Sequence, residues 1–144
     1  MKHLLVIVAA AVLFSATAMA DDKPVTFEKL PTAARQFVNT NFPNAEVLRV
    51  MQDDDLICPD YFVALAGGVK IDFSHNGALE KVESERAGVP DSIVPVQIRD
   101  YVSSHYPGSV ILEYEVGRKG YEVKLSNRME LKFNRGFHLM TIDD

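Results

Sequence analysis

The apolar positions of this chain follow one pattern twice. Leu30, Ala34, Phe37, Val38 and Phe42 recur at helical spacing, and Val94, Ile98, Tyr101, Val102 and Tyr106 repeat them 64 positions on. Pro31 and Pro95 stand near the helix starts, where a missing N–H costs nothing. Pro43 and Pro107 bias Phe42 and Tyr106 out of the helix and so end it. Downstream the period changes to two. Tyr61-x-Val63-x-Leu65 matches Tyr121-x-Val123-x-Leu125, and Ile71-x-Phe73 matches Leu131-x-Phe133. The offset drifts from 64 to 60, so short insertions fall where loops are expected. A duplication of this kind fixes the structural unit.

The two hairpins specify a register. Leu125 and Met129 flank Ser126-Asn127-Arg128, a three-residue loop. That loop sets Val123 opposite Leu131 and Tyr121 opposite Phe133 on one apolar face. It sets Lys124 opposite Glu130 and Glu122 opposite Lys132 on the other face, as two opposed ion pairs. In the first copy Ala66-Gly67-Gly68 is the loop, so Val63 faces Ile71 and Tyr61 faces Phe73. First strands are expected over 45–51 and 109–116. Last strands are expected over 78–83 and 137–142, after the Asn76-Gly77 and Arg135-Gly136 turns. The expected fold class is α+β: two tandem repeats, 21–84 and 85–144, each one helix followed by a four-stranded antiparallel meander. The helices would cover one sheet face and leave the other polar and open.

The first twenty residues read as a signal peptide. Lys2 supplies the positive start, 4–14 is a short apolar run, and Ala18-Met19-Ala20 is a small-x-small cleavage site. No cysteine stands directly after that site, which argues against a lipid anchor, and no later segment has the length and apolarity of a membrane span. The expected location is periplasmic or secreted. Removing residues 1–20 takes the formal charge from −5 to −6, which argues against a nucleic-acid partner. Cys58 is the only cysteine, so an intramolecular disulfide is excluded; it reads as an inert, partly buried residue.

Tyr61-x-Val63-x-Leu65, Lys70-x-Asp72 and the Gly77 turn resemble the core of a PepSY-type repeat. With "LP" or "VP" opening each helix and "FP" or "YP" closing it, the tandem pattern resembles the exported PepSY-like family of Bacteroidetes, over roughly residues 25–142. That family is described as similar to beta-lactamase-inhibitor proteins. The resemblance implies an exported protein without known enzymatic activity. It also implies a sheet face able to bind a protein, a peptidase being one partner class, and calcium dependence in some relatives. It supplies no catalytic residues.

The residues agree with the absence of catalysis. There is no G-x-S-x-G, and His75, His105 and His138 form no H-E-x-x-H or close metal pair. The expected function is non-catalytic docking of a protein or peptide of the cell envelope, without insertion into the membrane. The candidate partner-binding residues are Phe62, Lys70, Asp72, Glu122, Lys124, Glu130 and Lys132 on the open face. The loops between first and second strands diverge, acidic in one copy and basic (Gly117-Arg118-Lys119-Gly120) in the other, and would select the partner. No cofactor is required by this reading. The alternative is a calcium-responsive sensor or buffer, with Asp53, Asp54, Asp55 and Asp60 offering carboxylates on one loop.

Overall fold

The computed structural model describes residues 22–53 and 57–144; the expected signal peptide and Asp54 and Asp55 lie outside them. Strand β1 (Asp22–Pro24) and a 3-10 turn (Phe27–Lys29) precede helix α1 (Thr32–Asn41). Strands β2 (Val47–Asp53), β3 (Tyr61–Leu65), β4 (Val69–Phe73) and β5 (Leu79–Ser84) follow. Then come α2 (Val96–His105), β6 (Ile111–Val116), β7 (Gly120–Leu125), β8 (Glu130–Asn134) and β9 (Leu139–Asp143).

These strands form one nine-stranded antiparallel sheet in sequence order. The expected architecture of two helix-plus-four-strand units is corrected on two counts. First, β1 opens the sheet by pairing Asp22, Lys23 and Pro24 with Asp53, Gln52 and Met51. Second, β5 pairs with β6 through Lys81↔Glu115, Val82↔Tyr114 and Glu83↔Glu113, so no boundary divides the sheet. The physical reason is size: a unit of about 60 residues has a marginal core on its own, and a shared sheet removes two exposed edges.

One row of directly opposed residues shows how continuous the buried face is. Val50, Val63, Ile71, Val82, Tyr114, Val123 and Leu131 are successive cross-strand partners from β2 to β8. All seven are buried, within a single hydrophobic cluster that also holds Ala34, Val38, Ile98 and Val102 of the helices. Burial pushes the Tyr114 hydroxyl up to about 12.

Both helices dock on this face with the same local devices. The edge of Phe37 meets Phe73 at 5.6 Å and 80°, and Tyr101 meets Phe133 at 5.5 Å and 82°. Pro31 and Pro95 sit at the N-caps. One turn in, Arg35 Nε donates to the Leu30 carbonyl (3.2 Å) and Arg99 Nε to the Val94 carbonyl (3.1 Å), satisfying groups at each helix entry. The hairpin registers read from the sequence are found in β3–β4 and β7–β8. The second copy's last turn differs from its counterpart. Gly77 carries the positive φ (88°) in the first copy, but Phe137 (66°), not Gly136, carries it in the second.

Candidate functional site

The face opposite the helices is built from the residues that alternate with the core. Two rows cross it. In one, Met51, Phe62, Asp72, Lys81, Glu115, Glu122, Lys132 and Thr141 are successive partners from β2 to β9. In the other, Arg49, Ala64, Lys70, Glu83, Glu113, Lys124, Glu130 and Asp143 follow one another. All seven candidate partner-binding residues therefore share this face: Phe62, Asp72, Glu122 and Lys132 in the first row, Lys70, Lys124 and Glu130 in the second. Phe62 is half-buried, and the Arg49 guanidinium lies 5.7 Å from its ring centroid.

The ion pairs are not those read from the hairpin alone. Lys124 Nζ lies 3.8 Å from Glu113 on β6, on the side away from Glu130. The Glu122 carboxyl is pushed up by burial and by a hydrogen bond with the Glu130 carboxyl, against the pull of Lys132. At the junction of the two halves, Glu83 and Glu113 stand directly opposite each other. Lys81 reconciles them, its ammonium 3.5 Å from Glu83 and 3.3 Å from Glu113. Burial pulls the Lys81 pKa down, but Glu113, Glu83 and Glu115 outweigh it and leave the pKa above its ordinary value.

The first row is the floor of two hollows that meet at Glu115. One, of about 660 Å³, is lined by Phe62, Asp72, Lys81 and Glu115 together with Asp22, Asp53, Asp60 and Glu80 near the strand ends. The other, of about 640 Å³, continues over Glu122, Lys132 and Thr141 and is roofed at one end by Gly117–Gly120. The trough is thus acidic in its first half and carries the basic β6–β7 tip in its second. Crowding is visible in the acidic half. Burial pushes the Asp72 carboxyl up, with Glu83, Glu115 and Asp60 adding to it against Lys81. Burial also raises Glu80, with Asp60, Asp72 and Glu115 adding and His75 opposing.

Of the four acids proposed for calcium, Asp53 and Asp60 line the acidic hollow, joined by a backbone bond from Asp53 N to Asp60 O (2.9 Å). Asp54 and Asp55 lie outside the described residues. Among the described residues, no three His, Cys, Asp or Glu side chains are grouped closely enough to hold a metal ion. Cys58 is exposed, a correction to the expected partly buried thiol: it lies in the connection beyond the end of β2, away from the core.

Lys81, Glu113, Glu115, Glu80 and Asp22 were not singled out from the sequence. Alternation along β5 and β6 marks Lys81, Glu113 and Glu115 as outward-facing. Only the β5–β6 pairing brings them together.

Over residues 17–58 and 59–141 the chain matches the family described as "Putative beta-lactamase-inhibitor-like, PepSY-like". The chain belongs to the PepSY-like family. Three solved structures are similar to it. A "putative calcium-regulated periplasmic protein" of Bacteroides thetaiotaomicron is 38% identical at a TM-score of 0.83, over 87% of this chain and 98% of that one. A "putative periplasmic protein" of Bacteroides vulgatus is 35% identical at 0.82, over 86% and 98%. Another Bacteroides vulgatus periplasmic protein, of unknown function, is 29% identical at 0.79, over 85% and 99%. No curated protein matches the chain. With these relatives, the PepSY-like chain is a periplasmic protein. Among its described residues no helix is long and apolar enough to cross a membrane. The family is inhibitor-like and is not a known enzyme family.

Proposed function

We propose that this PepSY-like protein is a non-catalytic binding protein that docks a protein or peptide partner along the charged trough of its open sheet face. The observation that carries this reading is the unbroken row from Phe62 on β3 to Lys132 on β8, which joins the two hollows across the sheet. A rigid sheet presenting fixed charges of both signs selects partners by complementarity and rejects those with like charge. The description of the family as inhibitor-like suits such a role, and a peptidase of the cell envelope is one partner of that kind. Charge reversal by Lys124→Glu together with Lys132→Glu changes two outward side chains and spares the core. It weakens partner binding without lowering the melting temperature substantially; an unchanged affinity refutes this placement of the site.

A second reading is a calcium-responsive sensor or buffer. It is favoured by the surplus of carboxylates in the acidic hollow and by the relative described as calcium-regulated. On this reading calcium draws the carboxylates of this hollow together. Thermal melts in EDTA and in millimolar calcium test this. A calcium-specific rise that Asp53→Asn with Asp60→Asn abolishes supports it. Identical melts dismiss it.

A further inference from the structure

The buried row that crosses the sheet is finished at one end and left open at the other. Its cross-strand partners run from Val50 on β2 to Leu131 on β8, and the next partner is Ile142 on β9. At the first end β1 pairs with β2, Val25 N donates to the Val50 carbonyl (3.0 Å), and Val50 is 4% exposed. At the other end the sheet order stops at β9, and Ile142 is 45% exposed.

The first copy shows what such a position takes. Val82 stands opposite Ile71 as Ile142 stands opposite Leu131, so the two are equivalent. Val82 is fully buried, with β6 beside it and Tyr114 directly opposite. Strand β9 lacks only that next strand. The two outer edges of the sheet also differ. Strand β1 has three residues and ends on Pro24, which has no N–H to give, whereas β9 has five residues and no proline. The register shift on β9 lies before Thr141, so Thr141, Ile142 and Asp143 form a regular stretch. Their outward N–H and C=O groups have no ladder partner among the described residues.

Charge at this edge is one-sided. Glu130 and Asp143 stand directly opposite each other, where the first copy has Lys70 opposite Glu83. Lys124, the other neighbour of Glu130, turns to Glu113, and the Glu122 carboxyl hydrogen-bonds that of Glu130. Lys132, opposite Thr141, and Arg128, which shares a hollow with Glu130, form no ion pair with either carboxylate. At the β5–β6 joint the opposed Glu83 and Glu113 are bridged by Lys81; Glu130 and Asp143 have no such cation.

We propose that the outer edge of β9 takes an extended strand of the protein partner, paired antiparallel, with a basic residue opposite Asp143 and then a large apolar one opposite Ile142. The inference rests on the docking reading above and adds how the partner's chain is held, at the end of the trough where Thr141 closes the first row. Main-chain bonds supply affinity in such a joint, and the side chains of alternate residues supply selection. A second copy carries the matching order in Arg49-Val50-Met51, the equivalents of Glu113, Tyr114 and Glu115, but β1 already covers that edge of β2. The strand therefore comes from a different protein.

The test is an amide chemical-shift titration of the isotopically labelled protein with the blocked peptide Thr-Lys-Tyr-Thr-Val-Thr. Pairing shifts the amides of residues 140–143 saturably and slows their deuterium exchange. The same peptide N-methylated at its Tyr and the following Thr loses this binding, because whichever of its edges faces β9 then lacks a central N–H. Replacing its Lys by Glu weakens binding about threefold or more, and Asp143→Lys reverses that preference. Asp143 is exposed near the end of β9, and an unchanged melt verifies the fold. The proposal is overturned if 140–143 stay unmoved, if the N-methylated peptide binds equally well, or if the charge exchange has no effect. Concentration-dependent association of the protein alone through 140–143 overturns the choice of occupant in favour of a second copy. Shifts confined to Phe62, Asp72 and Lys132 overturn the edge placement and keep the trough reading. Pairing at β9 with no partner cross-links from Phe62 or Lys132 upholds the edge and removes the trough.

Discussion

Val82 on β5 stands directly opposite Tyr114 on β6, and both are buried. Through this contact the two copies of the sequence pattern share one sheet and one hydrophobic cluster. Val82→Ala removes two buried methyl groups where β5 meets β6. It is expected to cost about 2 kcal/mol, the sum of lost transfer energy and a small cavity. Because the core is shared, denaturant melts of the variant should show one transition, shifted as a whole and monitored identically by tyrosine fluorescence and circular dichroism. Two separated transitions would show that the halves unfold independently.

The close approach of Gly120 to Phe133 makes another position decisive. Gly120→Ala must move the β7 backbone away from β8, since a Cβ would overlap the Phe133 carbonyl at 1.9 Å. A loss on the order of 3 kcal/mol is expected, comparable to other large steric lesions in folded cores. Urea denaturation measures it directly.

Arg128 offers the opposite outcome. It takes a left-handed conformation (φ 75°) at the third position of its hairpin loop, where the first copy has Gly68 (φ 82°). Arg128→Gly relieves that strain at a cost in unfolded-state entropy, for a net gain of about 0.5–1 kcal/mol. The same urea series should move its midpoint upward with an unchanged slope.

The crowded carboxylates set a pH dependence. Asp72, Glu80 and Glu122 are all raised in the folded protein, each with burial as the first cause. A carboxyl whose folded pKa exceeds its unfolded one holds its proton more tightly when folded. Its contribution to stability is therefore gained as pH falls through the folded pKa toward the unfolded value, and lost as pH rises through the same window. The melting temperature is expected to be higher near about pH 5 than at neutral pH. Asp72→Asn should flatten that dependence and raise stability at neutral pH.

Much of this was legible in the sequence. Strict alternation at Tyr61–Leu65 and Tyr121–Leu125 specified the hairpin registers, because slipping by one residue would exchange the core and charged faces. The same alternation put Phe62, Lys70, Asp72, Glu122, Lys124, Glu130 and Lys132 on one side. What remained hidden depended on neighbours that periodicity does not name. Strand β1 is three exposed residues including Pro24, with no apolar signal at all. The β5–β6 pairing is a long-range choice, so the Lys81 bridge between Glu83 and Glu113 was invisible, as was the turn of Lys124 toward Glu113. Gly136 matched Gly77 as a letter, but Phe137 adopted the left-handed conformation, fixed by its stack on Tyr121.

Docking on the open sheet face is tested most directly by position-specific cross-linking in the periplasm. A photoreactive residue is placed at Phe62 or Lys132 in the trough, and at the exposed Gln36 or Gln97 on the helix side. Discrete protein adducts from the trough positions, weakened by charge reversal at Lys124 and none from the helices, are the expected result. Adducts of equal yield from Gln36 and Gln97, or trough adducts indifferent to the reversal, would contradict it.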